Sequence, residues 1–181
     1  MVVLPHATRT SFWRSRTEPT LPEETRPVRL LITGSRTWKD EGAVRSAIAW
    51  VVSRHGPDNV TLVEGCAEGA DEISERVGAR WGGGLIVEHH PADWDTCLPD
   101  CPPDHRNTRT DGTTYCPGAG LRRDDEMVAL GADYCAAFID ACVKPSCRKP
   151  KPHGSHGATH TADQAEKAGI PVRRYGRTSR G

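Results

Sequence analysis

Apolar and polar positions follow two rhythms along the chain. Val28-Arg29-Leu30-Leu31-Ile32-Thr33 is a short, nearly continuous apolar run that ends in Gly34-Ser35. That is the pattern of a strand buried on both faces and running into a tight turn. From Asp40 to His55 the apolar residues Ala43, Val44, Ala47, Ile48, Val51 and Val52 recur at helical spacing. Asp40 suits the cap, and Gly56-Pro57 supplies the stop. The alternation then repeats. Val60–Glu64 reads as a strand entering Gly65, about 70–81 as a helix ended by Gly82-Gly83-Gly84, and Leu85–His89 as a third strand. A helix carrying Met127, Val128 and Leu130 stops at Gly131, Tyr134–Ile139 is a fourth strand, 159–168 a last helix and Val172–Arg174 a final strand. Strands in alternation with helices, the strands near-continuous apolar runs, predict an α/β fold. The form expected is a Rossmann-like three-layer sandwich around a mainly parallel five-stranded sheet.

Two stretches interrupt the rhythm. Residues 91–119 hold five prolines and three cysteines, and residues 140–157 hold three prolines and two cysteines. Loops of that length in a compact domain are usually functional or disordered. The domain is therefore drawn over 27–176, with a cysteine-rich insertion at 91–119 and a long loop at 140–157. Residues 1–26 lack an apolar period and contain Pro5, Pro19 and Pro22; they read as a disordered leader, and 177–181 as a tail.

In an open parallel sheet, ligands sit beyond the carboxyl ends of the strands, so the turns there carry the candidate chemistry. After the first strand comes Gly34-Ser35-Arg36: a close backbone approach, a hydroxyl, and a planar cation suited to phosphate. After the second comes Gly65-Cys66-Ala67-Glu68-Gly69-Ala70-Asp71, two glycines around a turn into a helix start. Free amides and the helix dipole favour an anion at such a place. A third small-residue turn, Gly157-Ala158-Thr159-His160-Thr161, precedes the last helix. No Gly-Lys-Ser/Thr follows any of them, and no Gly-x-Gly-x-x-Gly is present, so neither a P-loop nor an ordinary dinucleotide fingerprint is found.

Taken in order, Arg29–Arg36, Val63–Asp71, Gly120–Met127 and Gly157–Thr161 resemble the YspA-type branch of the SLOG superfamily, which also holds the LOG phosphoribohydrolases and the DNA-processing protein A family. The resemblance covers roughly 28–175 apart from the insertion. It implies a Rossmann-like fold and a site for nucleotides, nucleoside monophosphates or ADP-ribose-like molecules. It carries over Gly34, Ser35 and Arg36 as one wall. Gly65, Gly69, Ala70 and Asp71 become the phosphate loop, and Arg123, Thr159 and His160 further ligand contacts. Two departures stand out. The family often has Asn where this chain has Asp124, an acid that would repel phosphate unless it faces a ribose. The Pro-Gly-Gly-x-Gly-Thr-x-x-Glu motif of the LOG enzymes is also missing: no threonine follows Gly69, and Glu72 and Glu75 are out of register.

The insertion carries separate chemistry. Cys97, Cys101, His105 and Cys116 are spaced Cys-x3-Cys-x3-His-x10-Cys. Three thiolates and an imidazole make a tetrahedral zinc set, and a metal explains how so proline-rich a loop stays ordered. One structural zinc is expected there, with Cys142, Cys147, His153 and His156 as alternative ligands from the other long loop. Cys66 and Cys135 read as small packing residues, Trp50 and Trp81 as core, and Trp94 as a residue able to stack on a base.

Composition narrows the partners. The 181 residues are 36% hydrophobic with a formal net charge of zero. A general nucleic-acid binder shows a basic excess, so nucleic acid is disfavoured as a partner. No apolar stretch is long enough to cross a bilayer, and none marks a secretory signal. The location expected is the cytoplasm, where thiols stay reduced. The partner expected is a nucleotide-derived small molecule; a homo-oligomer is left open. Function then divides between a sensor or carrier that binds such a ligand and a nucleotide hydrolase of the N-glycosidase or phosphoribohydrolase type. For the latter, Asp71, Glu72, Asp93 and Asp124 are the candidate acids or bases. A DNA-binding role ranks third.

Overall fold

The computed structural model describes residues 26–176. The expected tail, and the expected leader apart from Arg26, lie outside these residues. The elements run β1 (Val28–Gly34), α1 (Glu41–His55), β2 (Val60–Glu64), α2 (Ala70–Trp81), β3 (Ile86–His89), β4 (Asn107–Thr108), β5 (Thr114–Tyr115), α3 (Ala119–Ala129), β6 (Tyr134–Ile139), α4 (His156–Lys167) and β7 (Val172–Gly176). Five strands form one sheet in the order β3-β2-β1-β6-β7. Every pairing in it is parallel. The order reverses between β1 and β6, and that switch point opens a crevice at the carboxyl edge.

Strand periodicity explains the three layers. Along β1, Leu30 and Ile32 face a core shared with Val44, Ile48 and Val51 of α1 and with Ile73 and Val77 of α2. Leu31, between them, faces the opposite core with Met127 and Val128 of α3 and Ala165 of α4. Successive side chains of a strand point to opposite faces, so an uninterrupted apolar run feeds two cores at once. The fold is the expected α/β three-layer sandwich with a cysteine-rich insertion.

Helix ends follow local chemistry. The Asp40 carboxylate accepts the Ala43 amide at 2.9 Å and caps α1. Gly56, at φ 78°, returns its amide to the Val52 carbonyl at the other end. Trp50 departs from its expected core position. It lies at the rim, 39% exposed, under the Arg54 guanidinium at 3.8 Å and edge-on to Tyr134. Position 50 is one residue off the stripe formed by Ala47, Ile48, Val51 and Val52, so its ring covers the end of the sheet. Trp81 packs partly buried against the α1/α2 core.

The insertion contains a two-stranded antiparallel ribbon, β4 with β5, too short to leave a periodic signal in the sequence. α4 starts at His156 rather than at 159, and α3 reaches back to Ala119. No helix among the described residues is long and apolar enough to cross a membrane.

Candidate functional site

The turns after β1, β2 and β6 meet at the switch point. Gly34 lies so close to Ala70 and Phe138 that a Cβ there would overlap the Ala70 methyl. The Ser35 amide donates to the Phe138 carbonyl at 2.8 Å, tying the end of β1 to β6. The Ser35 hydroxyl, itself buried, accepts the Asp140 amide at 2.8 Å and meets the Ser155 hydroxyl at 2.6 Å. Thr37 closes the ring by donating to the Asp140 carboxylate at 2.8 Å. Asp140 and Ser155, which the sequence reading passed over, thus belong to the crevice. The signal available for Asp140 was its place directly after the apolar run of β6.

Gly69 has φ +85°, and a Cβ would run into the Ser35 and Arg36 backbone. This glycine lets two turns pack face to face; it does not simply open room for a ligand. The loop between β2 and α2 is folded around its own carboxylates. Asp71 Oδ2 accepts the Gly65 amide at 3.1 Å and the Ala67 amide at 3.4 Å. Glu64 Oε2 accepts the Cys66 amide at 2.6 Å. Among the described residues, the amides of Gly69 and Ala70 at the start of α2 have no such partner. Burial pushes the Asp71 carboxyl up to about 7 against the pull of Arg123 and of the Ala67 and Gly65 amides. At neutral pH a large share of it is therefore uncharged.

Arg123 of α3 lies across Gly65, where a Cβ would overlap its guanidinium. It donates to the His90 carbonyl at 3.0 Å and to Asp124 Oδ1 at 2.9 Å, and both side chains of this ion pair are nearly buried. The acid at 124 is the counter-ion of this arginine. Burial raises the Asp124 carboxyl, while Arg123 and Thr161 oppose that rise. Arg36 stands 5.9 Å from the ring of Trp94. Trp94 in turn packs on Gly120 and edge-on against Tyr115. Thr159 is next to Gly154, and its Oγ1 is buried without a hydrogen-bond partner, as is Asp71 Oδ1. His160 turns away to pair with Asp125 on α3 at 2.7 Å.

A second feature at this edge was not anticipated. Glu64, fully buried at the end of β2, is hydrogen-bonded to His89 Nδ1 at the end of β3. Cys66, exposed and not packed as expected, lies within ligand distance of both. Burial and the Glu64 carboxylate push its thiol up to about 11. Of the four acids named as candidate catalysts, Glu72 pairs with Arg76 on the surface and Asp93 caps the turn at Asp95 and Thr96.

The insertion brings Cys97, Cys101, His105 and Cys116 together, every ligand atom within 4.8 Å of the others. His105 Nε2 stands 3.5 Å from Cys97 Sγ and 3.2 Å from Cys116 Sγ. Its Nδ1 donates to the Pro102 carbonyl at 2.6 Å. Arg122 and His105 hold the Cys116 thiol down at about 6. This group could hold a metal. Cys142, Cys147, His153 and His156 do not join it; they form a group of their own. A cavity of about 440 Å³ adjoins the first group, lined by Leu98, Pro102, Asp104 and Arg106 among others. Another, of about 670 Å³, lies between the C-terminal halves of α3 and α4, away from the glycine turns.

Comparison with known proteins places the chain in a family. The model of the YspA, cpYpsA-related SLOG family matches residues 28–96. The Gene 61 protein of Mycobacterium phage D29 is 37% identical over 155 residues, covering 82% of this chain and 96% of that protein. The chain belongs to the YspA, cpYpsA-related SLOG family. Its fold is shared with DNA processing protein A from Helicobacter pylori, described by its single-stranded DNA binding mode. The TM-score there is 0.50 at 16% identity, over 82% of this chain and 65% of that one. DNA processing protein A from Streptococcus pneumoniae gives a TM-score of 0.47 at 18% identity, over 82% of this chain and 50% of that one. The chain thus spans less than two thirds of either solved chain. The Helicobacter structure corrects one expectation. Zero net charge had disfavoured nucleic acid as a partner, yet the same fold serves a protein that binds single-stranded DNA. Net charge averages over the whole surface, whereas a strand contacts one face of it, so the average excludes nothing.

Proposed function

We propose that this protein binds a nucleotide-derived phosphate ligand at the carboxyl edge of its sheet, as a cytoplasmic sensor or carrier. The observation that carries this reading is a pair of orphaned polar atoms. Among the described residues, only three buried side-chain polar atoms lack a hydrogen-bond partner, and two of them, Asp71 Oδ1 and Thr159 Oγ1, belong to the turns that the family resemblance singles out. A buried polar atom left unpaired is costly, and a bound ligand relieves that cost. The uncommitted amides at the start of α2 suit a phosphate, and Arg36 beside Trp94 suits a phosphate next to a base. The Cys97, Cys101, His105 and Cys116 group is assigned one structural zinc, which holds the wall that carries Trp94.

Titration calorimetry with AMP, NAD, ADP-ribose and a short oligothymidylate tests this reading. Arg36→Ala and Thr159→Val should each weaken the ligand that binds, Arg36→Ala by at least about tenfold, since a charged hydrogen bond is worth roughly 1.5–3 kcal/mol. Equal affinity in wild type and both variants, or no binding of any of the four, overturns it. Binding of the oligothymidylate alone makes the ligand a DNA strand.

One observation favours a second reading, hydrolysis of the bound nucleotide. Buried Glu64 orients the exposed His89 at the same edge, the arrangement of a positioned general base. Release of base or ribose phosphate by wild type, lost in His89→Gln, would support it.

A further inference from the structure

The loop between β6 and α4 repeats the design of the insertion between β3 and α3, although the two share no sequence register. In each, a first cysteine (Cys97; Cys142) is followed by a proline-containing turn. That turn ends on a second cysteine whose amide donates to the carbonyl three residues back: Cys101 to Leu98 at 3.0 Å, Cys147 to Lys144 at 3.1 Å. In each, a histidine then donates Nδ1 to the carbonyl of a proline three residues earlier: His105 to Pro102 at 2.6 Å, His153 to Pro150 at 2.8 Å. In each, the last member stands at a helix start: Cys116 just ahead of α3, and His156 as the first residue of α4.

We propose that Cys142, Cys147, His153 and His156 form a second, closed zinc site, independent of the first. The four ligand atoms lie within 4.8 Å of one another. Cys147 Sγ is 3.4 Å from His153 Nε2 and 3.2 Å from His156 Nε2, and the two Nε2 atoms are 3.2 Å apart. Ligands at zinc bond lengths around a tetrahedron stand about 3.3–3.8 Å apart. A carbonyl only accepts, so His153 holds a proton on Nδ1 and, as neutral imidazole, presents a lone pair at Nε2. That lone pair faces the His156 nitrogen and the Cys147 sulfur, two further atoms able to ligate a metal. A cation at the centre satisfies all of them, and the Pro150 carbonyl is the outer hydrogen bond that fixes a ligating histidine. Two thiolates and two imidazoles suit zinc ahead of hard, oxygen-seeking ions.

The site closes the loop next to the crevice. Ser155, between His153 and His156, is the residue whose hydroxyl meets Ser35. The second ion thus sets where α4 begins and where Thr159 stands.

The test uses the full chain, purified under reducing conditions without chelator. Elemental analysis should find two zinc equivalents in wild type, one in Cys147→Ser and one in Cys101→Ser. X-ray absorption on the wild type, which needs no variant to fold, should give about 2.5 sulfur and 1.5 nitrogen neighbours per zinc, the mean of a three-thiolate and a two-thiolate site. One equivalent that survives Cys147→Ser and disappears in Cys101→Ser overturns the second site and leaves the first standing. One equivalent lost only in Cys147→Ser does the reverse. No zinc in wild type, or a disulfide between Cys142 and Cys147 in the reduced protein, also overturns it.

Discussion

The hydroxyls of Ser35 and Ser155 meet at 2.6 Å across 120 positions of sequence. The contact joins the turn after β1 to the start of α4 at the switch point of the sheet. Because Ser35 Oγ also accepts the buried Asp140 amide, Ser35→Ala should leave that amide unpaired. We expect a loss of about 1–3 kcal/mol, the usual cost of an orphaned buried donor, read by urea denaturation. Ser155→Ala, which removes only one partner of the pair, should cost less. Equal effects would mean that the Asp140 amide finds another acceptor.

Gly69→Ala should destabilise the fold by more than about 2 kcal/mol, since both its positive φ and the space beside Ser35 and Arg36 exclude a side chain. A measured loss under about 1 kcal/mol would show that the two turns can separate. For the same reason a bulky residue at 69 is a poor probe of ligand binding, and Arg36 is the cleaner one.

Asp71 predicts a pH dependence. Its folded carboxyl titrates at about 7 against an ordinary value of 3.8. The folded state therefore holds a proton that the unfolded state has released, and this group's contribution falls as pH rises from about 4 through 7. Asp71→Asn, which keeps an oxygen for the Gly65 and Ala67 amides, should remove that slope. Wild type and variant should converge near pH 4 and differ by a few kcal/mol at pH 8, with the variant more stable. Parallel stability profiles from pH 4 to 8 would sink this account.

Glu88 behaves oppositely. The Arg29 guanidinium, bidentate to it at 2.6 and 2.8 Å, holds its carboxyl down at about 2. Stability from this pair is present above about 4.5 and is lost as pH falls through 2. The pair is partly exposed, so Glu88→Gln should cost about 1 kcal/mol or less at pH 7 after solvent screening, and only a small part of that at pH 2. The check is denaturation at the two pH values.

Zinc removal gives a further check. A strong chelator should lower the thermal midpoint by roughly 5 °C or more, since 1 kcal/mol is worth about 2–4 °C at this chain length. The sheet should persist by far-ultraviolet circular dichroism, because neither long loop contributes to its cores. An unchanged midpoint would argue that the thiols hold no metal.

The central strands were legible because β1, β2 and β6 are nearly continuous apolar runs closed by a turn. Val60–Glu64 and Tyr134–Ile139 are found at the expected residues. What escaped were contacts made by polar residues far apart in sequence. Glu64 looks like the solvated end of a strand, yet it is fully buried under His89. Arg123 and Asp124 sit in a charged stretch that resembles an exposed helix start, yet they form a nearly buried pair over Gly65. Charge patterns report what a residue can do, and only the crossing of distant elements decides whether it is buried. The glycine turns were legible as turns; that Asp71 and Glu64 fill the amides of the second one was not, because the loop must bend back on residues that read as strand and helix.

The 140–155 segment has a neck. The Ala141–Gly154 bridge, the Cys142 amide on the His153 carbonyl and the Ser155 amide on the Asp140 carbonyl join its two sides where they leave β6 and enter α4. The neck thus sets the tip, Val143–Pro152, apart from the sheet, and Cys147 is the tip's link to the start of α4. The tip can be lengthened between Arg148 and Lys149, clear of Cys147 and of the Pro150 carbonyl that holds His153, while a single residue added between Ile139 and Cys142 would slide Asp140 off Ser35. The domain thus carries a natural graft point beside its ligand edge, where a tag or reporter can be inserted within reach of whatever binds there.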